Sequence, residues 1–170
     1  MQIVMAAKQD KDEILKLYKA QLGREFCPWT EGYPSEETID IDLSRDALFV
    51  MKEDDRIVAA ISLEEDEDVD RLECWDKDLA PAGEPARLAV LPEMQNRGLA
   101  RQMLQHVMKI LKERGFQSIR FLVNKHNKKA IASYAVFGFS IVGECHMYEQ
   151  DFLCYEKALD QIHGKKYEDS

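Results

Sequence analysis

The stretch from Arg87 to Arg101 combines an apolar strand pattern with a turn and the start of a helix. The apolar run breaks at Pro92, and a Gln-x-x-Gly-x-Ala sequence beginning at Gln95 leads directly into a helical pattern. The first N–H groups of a helix have no partner within it, and the aligned peptide dipoles place about half a positive charge there. This turn therefore predicts a binding site for an anionic group such as a pyrophosphate.

Small and basic residues in the same turn fit a diphosphate ligand. Gly98 and Ala100 allow a ligand to approach the backbone closely, and Arg97 and Arg101 add positive charge at the rim. The turn matches neither the GxGxxG dinucleotide fingerprint nor a GxxxxGK[ST] P-loop, because no Lys follows the glycine. Nicotinamide cofactors and ATP are therefore disfavoured.

Apolar periodicity predicts the elements that must position this turn. The predicted order is β α α β β β α β α β β, an α/β layout with one mixed sheet covered by helices. The strands are expected over residues 3–6, 47–51, 57–63, 86–91, 118–123, 139–142 and 152–155, and the helices over about 10–22, 35–45, 99–114 and 128–137. Asp10 and Ser35 are the expected caps of the first two helices.

Two segments without apolar periodicity are predicted as loops. Residues 26–34 are too rich in Pro and Gly for regular structure, and they carry Trp29 and Tyr33. The acidic block 64–70 is interpreted as a solvated loop, with a docking surface for a basic partner as the alternative.

Composition limits the class of protein. A chain of 170 residues fits one compact domain, and a net charge of -9 repels polyphosphate while favouring cationic substrates such as amines. The four cysteines show no CxxC pair and no His at metal-ligand spacing, so no zinc site is expected. No apolar run reaches the length of a membrane span. These features predict a cytoplasmic protein with free thiols that binds neither membrane nor nucleic acid.

About thirty residues after the turn, the segment from Asn127 to Phe139 reads Asn-Lys-Lys-Ala-Ile-Ala-Ser-Tyr-Ala-Val-Phe-Gly-Phe. With the segment from Arg87 to Arg101, it resembles the GNAT superfamily of acetyl-CoA-dependent N-acetyltransferases, over nearly the whole chain. In that superfamily a Gln/Arg-x-x-Gly-x-Gly/Ala turn holds the CoA pyrophosphate, and an Asn…Tyr…Gly-Phe segment lies across splayed strands. The loop from Trp29 to Pro34 is similar to that of an uncharacterised bacterial branch.

The resemblance implies a fold, a cosubstrate and a reaction. We expect a GNAT domain over residues 1–160 with a polar tail over 161–170, and a mixed, mostly antiparallel sheet of six or seven strands flanked by about four helices. The implied reaction is direct attack of a primary amine on acetyl-CoA in a ternary complex, with no metal. The implied acetyl-CoA-binding residues are Leu88, Ala89, Val90, Gln95, Asn96, Arg97, Gly98, Leu99, Ala100, Arg101 and Asn127.

The resemblance also assigns roles to single residues, each beside a structural alternative. Tyr134 is the implied general acid, and its alternative is a packed tyrosine with a satisfied hydroxyl. The backbone N–H of Val90 or Leu88 is the implied donor to the thioester oxygen. Asn127 either contacts CoA or caps the following helix. Trp29 and Tyr33 form the implied acceptor wall or pin their loop to the core.

The general base is open between two carboxylates. Glu84 precedes the strand that flanks the turn and is the tentative base, and Glu64 ends a neighbouring strand. Either carboxylate could remove an ammonium proton through a water, and the alternative for each is an exposed surface group.

Three functions remain open. The first is acetylation of a small-molecule amine, the second is acetylation of a protein or peptide amine, and the third is a non-catalytic acyl-CoA-binding module. Because relatives pair through their C-terminal strands, the segment 152–155 is a candidate homodimer interface.

Overall fold

The computed structural model describes residues 1–159, which form two compact units. The first unit contains Met1–Glu64 and Pro85–Val107, and the second contains Glu65–Glu84 and the chain from Met108 onward. The predicted tail, 161–170, lies outside the described residues. The division into a domain over 1–160 and a tail stays a prediction.

The first unit holds four strands in the order β1-β2-β3-β4. Strands β1 and β2 pair antiparallel, as do β2 and β3. The bounds are β1 Gln2–Met5, β2 Leu48–Glu53, β3 Arg56–Glu64 and β4 Ala82–Val90, with helices α1 Lys11–Lys19 and α2 Glu36–Ser44.

Burial patterns explain these elements. In α1 the side chains of Ile14, Leu17 and Tyr18 fall on one face and are all buried, at the spacing that one helix face requires. Ser35 caps α2 as predicted, because its hydroxyl accepts from the Thr38 N–H at 3.3 Å.

Asp10 is a correction to the predicted capping. It immediately precedes α1, but its side chain makes no cap bond to the helix. The carboxylate instead accepts from the Ala7 N–H at 2.9 Å and pairs with Lys52 at 3.1 Å. Asp10 therefore fixes the turn before the helix.

The second unit has the strand order β4-β5-β7-β6. The first residues of β4 pair in parallel with β5, at Ala82 with Ser118 and Gly83 with Ile119, and β7 pairs antiparallel with both β5 and β6. The bounds are β5 Ser118–Asn124, β6 Ser140–Met147, β7 Gln150–Ala158, α3 Glu67–Asp70 and α5 Lys128–Val136, while α4 Leu99–Glu113 enters from the first unit.

One sequence-based expectation needs correction here. The acidic block is no solvated loop throughout, because Asp66 caps the one-turn helix α3 and Val69 is buried there, where its carbonyl accepts from the Trp75 indole N–H at 2.7 Å. The segment 152–155 lies in β7, which is hydrogen-bonded on both sides, so its backbone offers no open edge to a second copy. A homodimer stays a prediction.

The predicted architecture is otherwise confirmed. Residues 1–159 contain seven strands with mostly antiparallel pairing, and α3 brings the α-helices in that range to five. Within the same range, no helix is both long and apolar enough to cross a membrane.

Candidate functional site

The turn between β4 and α4 presents the N-terminal end of a helix to solvent. Residues 96–98 are exposed, and so are Ala100 and Arg101, while Leu99 and Met94 are buried and fix the turn to the core. The helical hydrogen bonds begin with the Gln102 N–H donating to the Gly98 carbonyl at 3.1 Å. The first N–H groups of an α-helix have no acceptor within the helix, and the aligned peptide dipoles give this end a positive partial charge.

Gly98 shows that this turn has room for a ligand. Its φ is +77°, in the left-handed region that favours glycine, and a Cβ built there would meet no atom within 4 Å. Asn96 also has a positive φ, of 62°. The open space beside the exposed helix end fits a diphosphate, and Arg97 contributes positive charge nearby.

The carbonyl of Val90, at the end of β4, accepts hydrogen bonds from two glutamine side chains. The Val90 oxygen accepts from the Gln95 side chain at 3.0 Å and from the Gln21 side chain at 2.9 Å. Gln95, which the motif assigns to the cofactor, therefore braces the turn against the strand. Ala89 and Val90 are buried and Leu88 is half-buried. The role of the Leu88 or Val90 N–H toward a thioester stays a prediction.

A buried ion network lies beside this strand in the first unit. Arg87 has a φ of 48°, uncommon for a bulky residue, and only 5% of its side chain is exposed. Its Nη2 and Nε bind the Asp42 carboxylate at 2.8 to 3.2 Å, and its Nη1 binds Glu64 at 2.6 Å and the Tyr33 hydroxyl at 3.1 Å. One guanidinium thus joins three elements of this unit.

The charges of this network balance. Burial alone would lower the pKa of Arg87, but the charge of Asp42 and the hydrogen bond to Glu64 raise it above its ordinary value. Arg45 adds a second cation, 3.1 Å from Asp42 and 3.7 Å from Glu64. Two carboxylates thus face two guanidinium groups, and Glu64 forms an ion pair with each arginine.

The two aromatic residues proposed for the acceptor wall differ in environment. Trp29 is half-buried and packs edge-to-face on Tyr18, with ring centroids 5.4 Å apart, so it helps to pin the loop to the core. Tyr33 is 45% exposed, and its backbone forms a bridge with Thr30. Tyr33 therefore presents an aromatic surface to solvent while its hydroxyl is fixed by Arg87.

Tyr134 belongs to an aromatic cluster in the second unit. Its ring centroid lies 4.8 Å from that of Phe121, 5.8 Å from that of Tyr155 and 6.0 Å from that of Phe139. Burial, and then the neighbouring Tyr155, raises the pKa of Tyr134. The phenol therefore keeps its proton at neutral pH, as a general acid must.

Asn127 and Glu84 also belong to the second unit. The Asn127 side chain accepts from the Ala130 N–H at 3.2 Å, so the helix-cap alternative is observed. Glu84 is half-buried. Burial and the hydrogen bond to Asp66 raise the pKa of Tyr148 to about 12, and the charge of Glu84 contributes a smaller increase to the same pKa.

The first unit brings Tyr33 and Glu64 together through Arg87 and Asp42, two residues that the sequence did not identify as partners. The positions of Asp42 and Arg87 in the predicted elements were the signal that could have identified this pair. Asp42 falls three residues after the buried Ile39, on the same face of α2, and Arg87 falls on the buried side of a predicted strand. Opposite charges on two predicted core faces indicate an ion pair.

No group of three or more His, Cys, Asp or Glu side chains within residues 1–159 is arranged to hold a metal ion.

Residues 12–139 match the family model described as "Acetyltransferase (GNAT) family". A comparison with curated proteins finds no match.

Three solved structures illustrate the likeness in fold. A ribosomal-protein-alanine N-acetyltransferase from Brucella melitensis is 18% identical with a TM-score of 0.75, covering 93% of this chain and 99% of that one. The ribosomal-protein-S18-alanine N-acetyltransferase from Escherichia coli is 19% identical with a TM-score of 0.70, covering 93% of each chain. The protein yncA from Salmonella typhimurium, solved with its cofactor acetyl-CoA, is 16% identical with a TM-score of 0.73, covering 94% of each chain.

Proposed function

Because the chain belongs to the GNAT acetyltransferase family, we propose that it transfers an acetyl group from acetyl-CoA to the primary amine of a small molecule. The exposed N-terminal end of α4, with its open space at Gly98, carries this proposal. The amides of this helix end and the charge of Arg97 and Arg101 would hold the diphosphate of the cosubstrate. The related yncA protein was solved with acetyl-CoA.

Acetyl-CoA supplies an activated thioester carbon, and the chain supplies position and protons. The N–H of Val90 or Leu88 would donate to the thioester oxygen and stabilise the charge that develops there. Tyr134 would donate its phenolic proton to the departing sulfur. Burial supports this role because the raised pKa of Tyr134 keeps the phenol protonated at neutral pH.

Glu84 is the proposed general base. A base must have an oxygen available to accept a proton, and the Glu64 carboxylate is less suited because its two oxygens are paired with Arg87 and Arg45. Glu84 would remove a proton from the ammonium form of the acceptor, through a water. The neutral amine could then attack.

The acceptor is proposed from charge and from the aromatic loop. A net charge of -9 favours a cationic acceptor over an anionic one. Tyr33 presents an exposed ring to which an ammonium group could bind. A protein α-amine is the second candidate, because two of the structurally similar proteins are ribosomal-protein-alanine acetyltransferases.

The test is an acceptor screen with purified protein. Acetyl-CoA is mixed with a panel of small primary amines and with peptides that begin with alanine, and free thiol release is followed together with product mass. We expect acetylation of a small cationic amine. Turnover confined to peptides would favour the second candidate. Calorimetric binding of acetyl-CoA with no turnover on either panel would leave only the non-catalytic acyl-CoA-binding module.

A further inference from the structure

Three of the four cysteines meet on one face of the β6–β7 pair in the second unit. Cys154 on β7 is directly opposite Gly143 on β6, and Cys145 lies two residues farther along β6. Opposed residues of an antiparallel pair share a face, and so do residues two apart on a strand. Cys154 belongs to a buried apolar cluster, and both Cys74 and Cys145 pack against that cluster.

Cys74 takes the space that a side chain at position 143 would need. A Cβ built on Gly143 would lie 2.7 Å from the Cβ of Cys74 and 3.4 Å from its Sγ, so the approach of Cys74 requires glycine there. Cys74 therefore lies over the position directly opposite Cys154. Directly opposed Cβ atoms are about 4.5 to 5.5 Å apart, close to the roughly 3.5 to 4.5 Å that a disulfide spans.

Cys145 is the poorer partner for Cys154. The two lie diagonally across the strand pair, and diagonal neighbours are about 7 to 8 Å apart, beyond the roughly 7 Å between Cα atoms that a disulfide tolerates without backbone movement. Access separates Cys154 from the other two thiols. Cys154 is fully buried, while Cys74 and Cys145 are both half-buried and within reach of a small reagent from solvent.

We propose that Cys74 and Cys154 form a reversible disulfide when the protein meets a low-molecular-weight disulfide such as oxidised glutathione. The Cys74 thiolate attacks one sulfur of the reagent, which forms a mixed disulfide and releases one small thiol. Cys154 then loses its proton to solvent and attacks the Cys74 sulfur, which forms the protein S–S bond and releases the second small thiol. Two protein thiols are oxidised and one small disulfide is reduced to two thiols.

The bond would join the segment that precedes the short 3₁₀ turn Lys77–Leu79 to β7, one residue before Tyr155. Tyr155 contacts the ring of Tyr134. Because successive side chains of a strand point to opposite faces of the sheet, the proposed disulfide lies on the face opposite the ring of Tyr155. Its formation does not depend on the proposed acetyl transfer.

Intact mass spectrometry of the folded full-length chain in excess oxidised glutathione tests the proposal. Burial raises the pKa of Cys154, so its attack is slow at neutral pH. We expect a transient gain of one glutathionyl group, followed by a species that has lost two hydrogen atoms and in which two of four thiols resist alkylation. Dithiothreitol should reverse the change. A stable glutathione adduct, or four alkylated thiols throughout, would overturn the proposal.

Single serine variants identify the pair. Trypsin leaves Cys74 in the peptide 72–77 but Cys145 and Cys154 together in 130–157, so peptide mapping alone does not distinguish the last two. Cys145→Ser should form the disulfide as the wild type does, and Cys154→Ser should stop at the adduct on Cys74. Cys27→Ser, in the first unit, is the control and should behave as the wild type. Loss of the disulfide in Cys145→Ser, with retention in Cys154→Ser, would contradict the assignment.

Discussion

Arg87 binds Asp42 through a bidentate ion pair in which 5% of one side chain and 1% of the other are exposed. Arg87 lies on β4 and Asp42 on α2, 45 positions apart in the chain. Removing charges from water costs several kcal/mol per ion, and only close pairing with complete hydrogen bonding offsets that cost. The pair therefore holds α2 against β4 only while both members are present.

Arg87→Ala should destabilise the protein by about 3 to 5 kcal/mol, the range for breaking a buried pair, because the Asp42 carboxylate is left buried with one cation fewer. Urea unfolding at neutral pH measures the change. Arg56→Ala is the matched control, because Arg56 and Glu93 form a pair at 2.6 Å, shorter than the 2.8 Å between Arg87 and Asp42, but more than half exposed. The control should change the midpoint far less. Equal losses in the two variants would contradict the role given to burial.

The sequence predicts the elements of the first unit well because their core faces are apolar. It does not predict the Arg87 network, because a charged residue on a helix or strand ordinarily lies at the surface. Only the folded chain shows that Arg87 and Arg45 together pair with Asp42 and Glu64.

Gly98→Ala should lower stability by about 1 kcal/mol, because alanine is strained at a φ of +77°. It should also weaken acetyl-CoA binding by roughly tenfold, since the added methyl group projects into the space assigned to the diphosphate. Gly23→Ala is the matched control: its φ is +82° and its Cβ would likewise meet no atom within 4 Å. Calorimetry should show unchanged binding for the control. The same affinity in both variants would remove Gly98 from the cosubstrate site.

Tyr18→Phe should make the protein less sensitive to alkali. Burial raises the pKa of Tyr18 to about 12, although Ser62 and Arg87 act to lower it. Because the unfolded phenol ionises near 10, the folded protein loses stability as the pH rises from about 10 through 12. Between pH 8 and pH 11 the free energy of unfolding should fall by about 1 kcal/mol more in the wild type than in the variant. Urea unfolding at both pH values measures this difference.

At pH 8 the same variant reports on a different property. The Tyr18 hydroxyl is buried without a hydrogen-bond partner among the described residues. Phenylalanine keeps the ring that packs on Trp29 and removes an unsatisfied polar group, so stability at pH 8 should be unchanged or higher. A variant that is less stable at pH 8, or that loses as much stability by pH 11 as the wild type, would contradict the isolated environment of the hydroxyl.

The C-terminal strands show a second limit of sequence-based prediction. The apolar pattern predicts strands over 139–142 and 152–155, whereas β6 and β7 cover 140–147 and 150–158. Strand β6 lies at the edge of the second unit's sheet, where no residue of the strand is fully buried. Its second half is held by backbone pairing with β7, which leaves little trace in the apolar pattern.

The sequence likewise predicts some features of the candidate site and not others. The turn, its glycine and the helix can be predicted from the sequence because the proposed contacts with the ligand are made by the backbone. The capping bond of Asn127 and the ion pairs of Glu64 depend on where neighbouring groups lie. The sequence alone is compatible with either role for Asn127, a contact to CoA or a helix cap, and with either role for Glu64, a base or a surface group.

Tyr134→Phe should lower kcat by more than about tenfold and leave the KM for acetyl-CoA nearly unchanged, because the phenol is proposed to act only on the departing sulfur. Phenylalanine keeps the ring contacts with Phe121 and Tyr155, so stability should change little. Tyr148→Phe, at a tyrosine that is 62% exposed, is the control and should keep full activity.

The pH profile separates a proton donor from a packing residue. Because burial raises the pKa of Tyr134, ionisation of this phenol should reduce kcat only above pH 10, as the proton needed by the leaving sulfur is lost. The reduction should be absent in Tyr134→Phe, whose residual rate has no phenol to titrate. A variant with wild-type kcat, or one with a lower kcat and the same alkaline limb, would assign Tyr134 to packing and leave the protonation of coenzyme A to solvent.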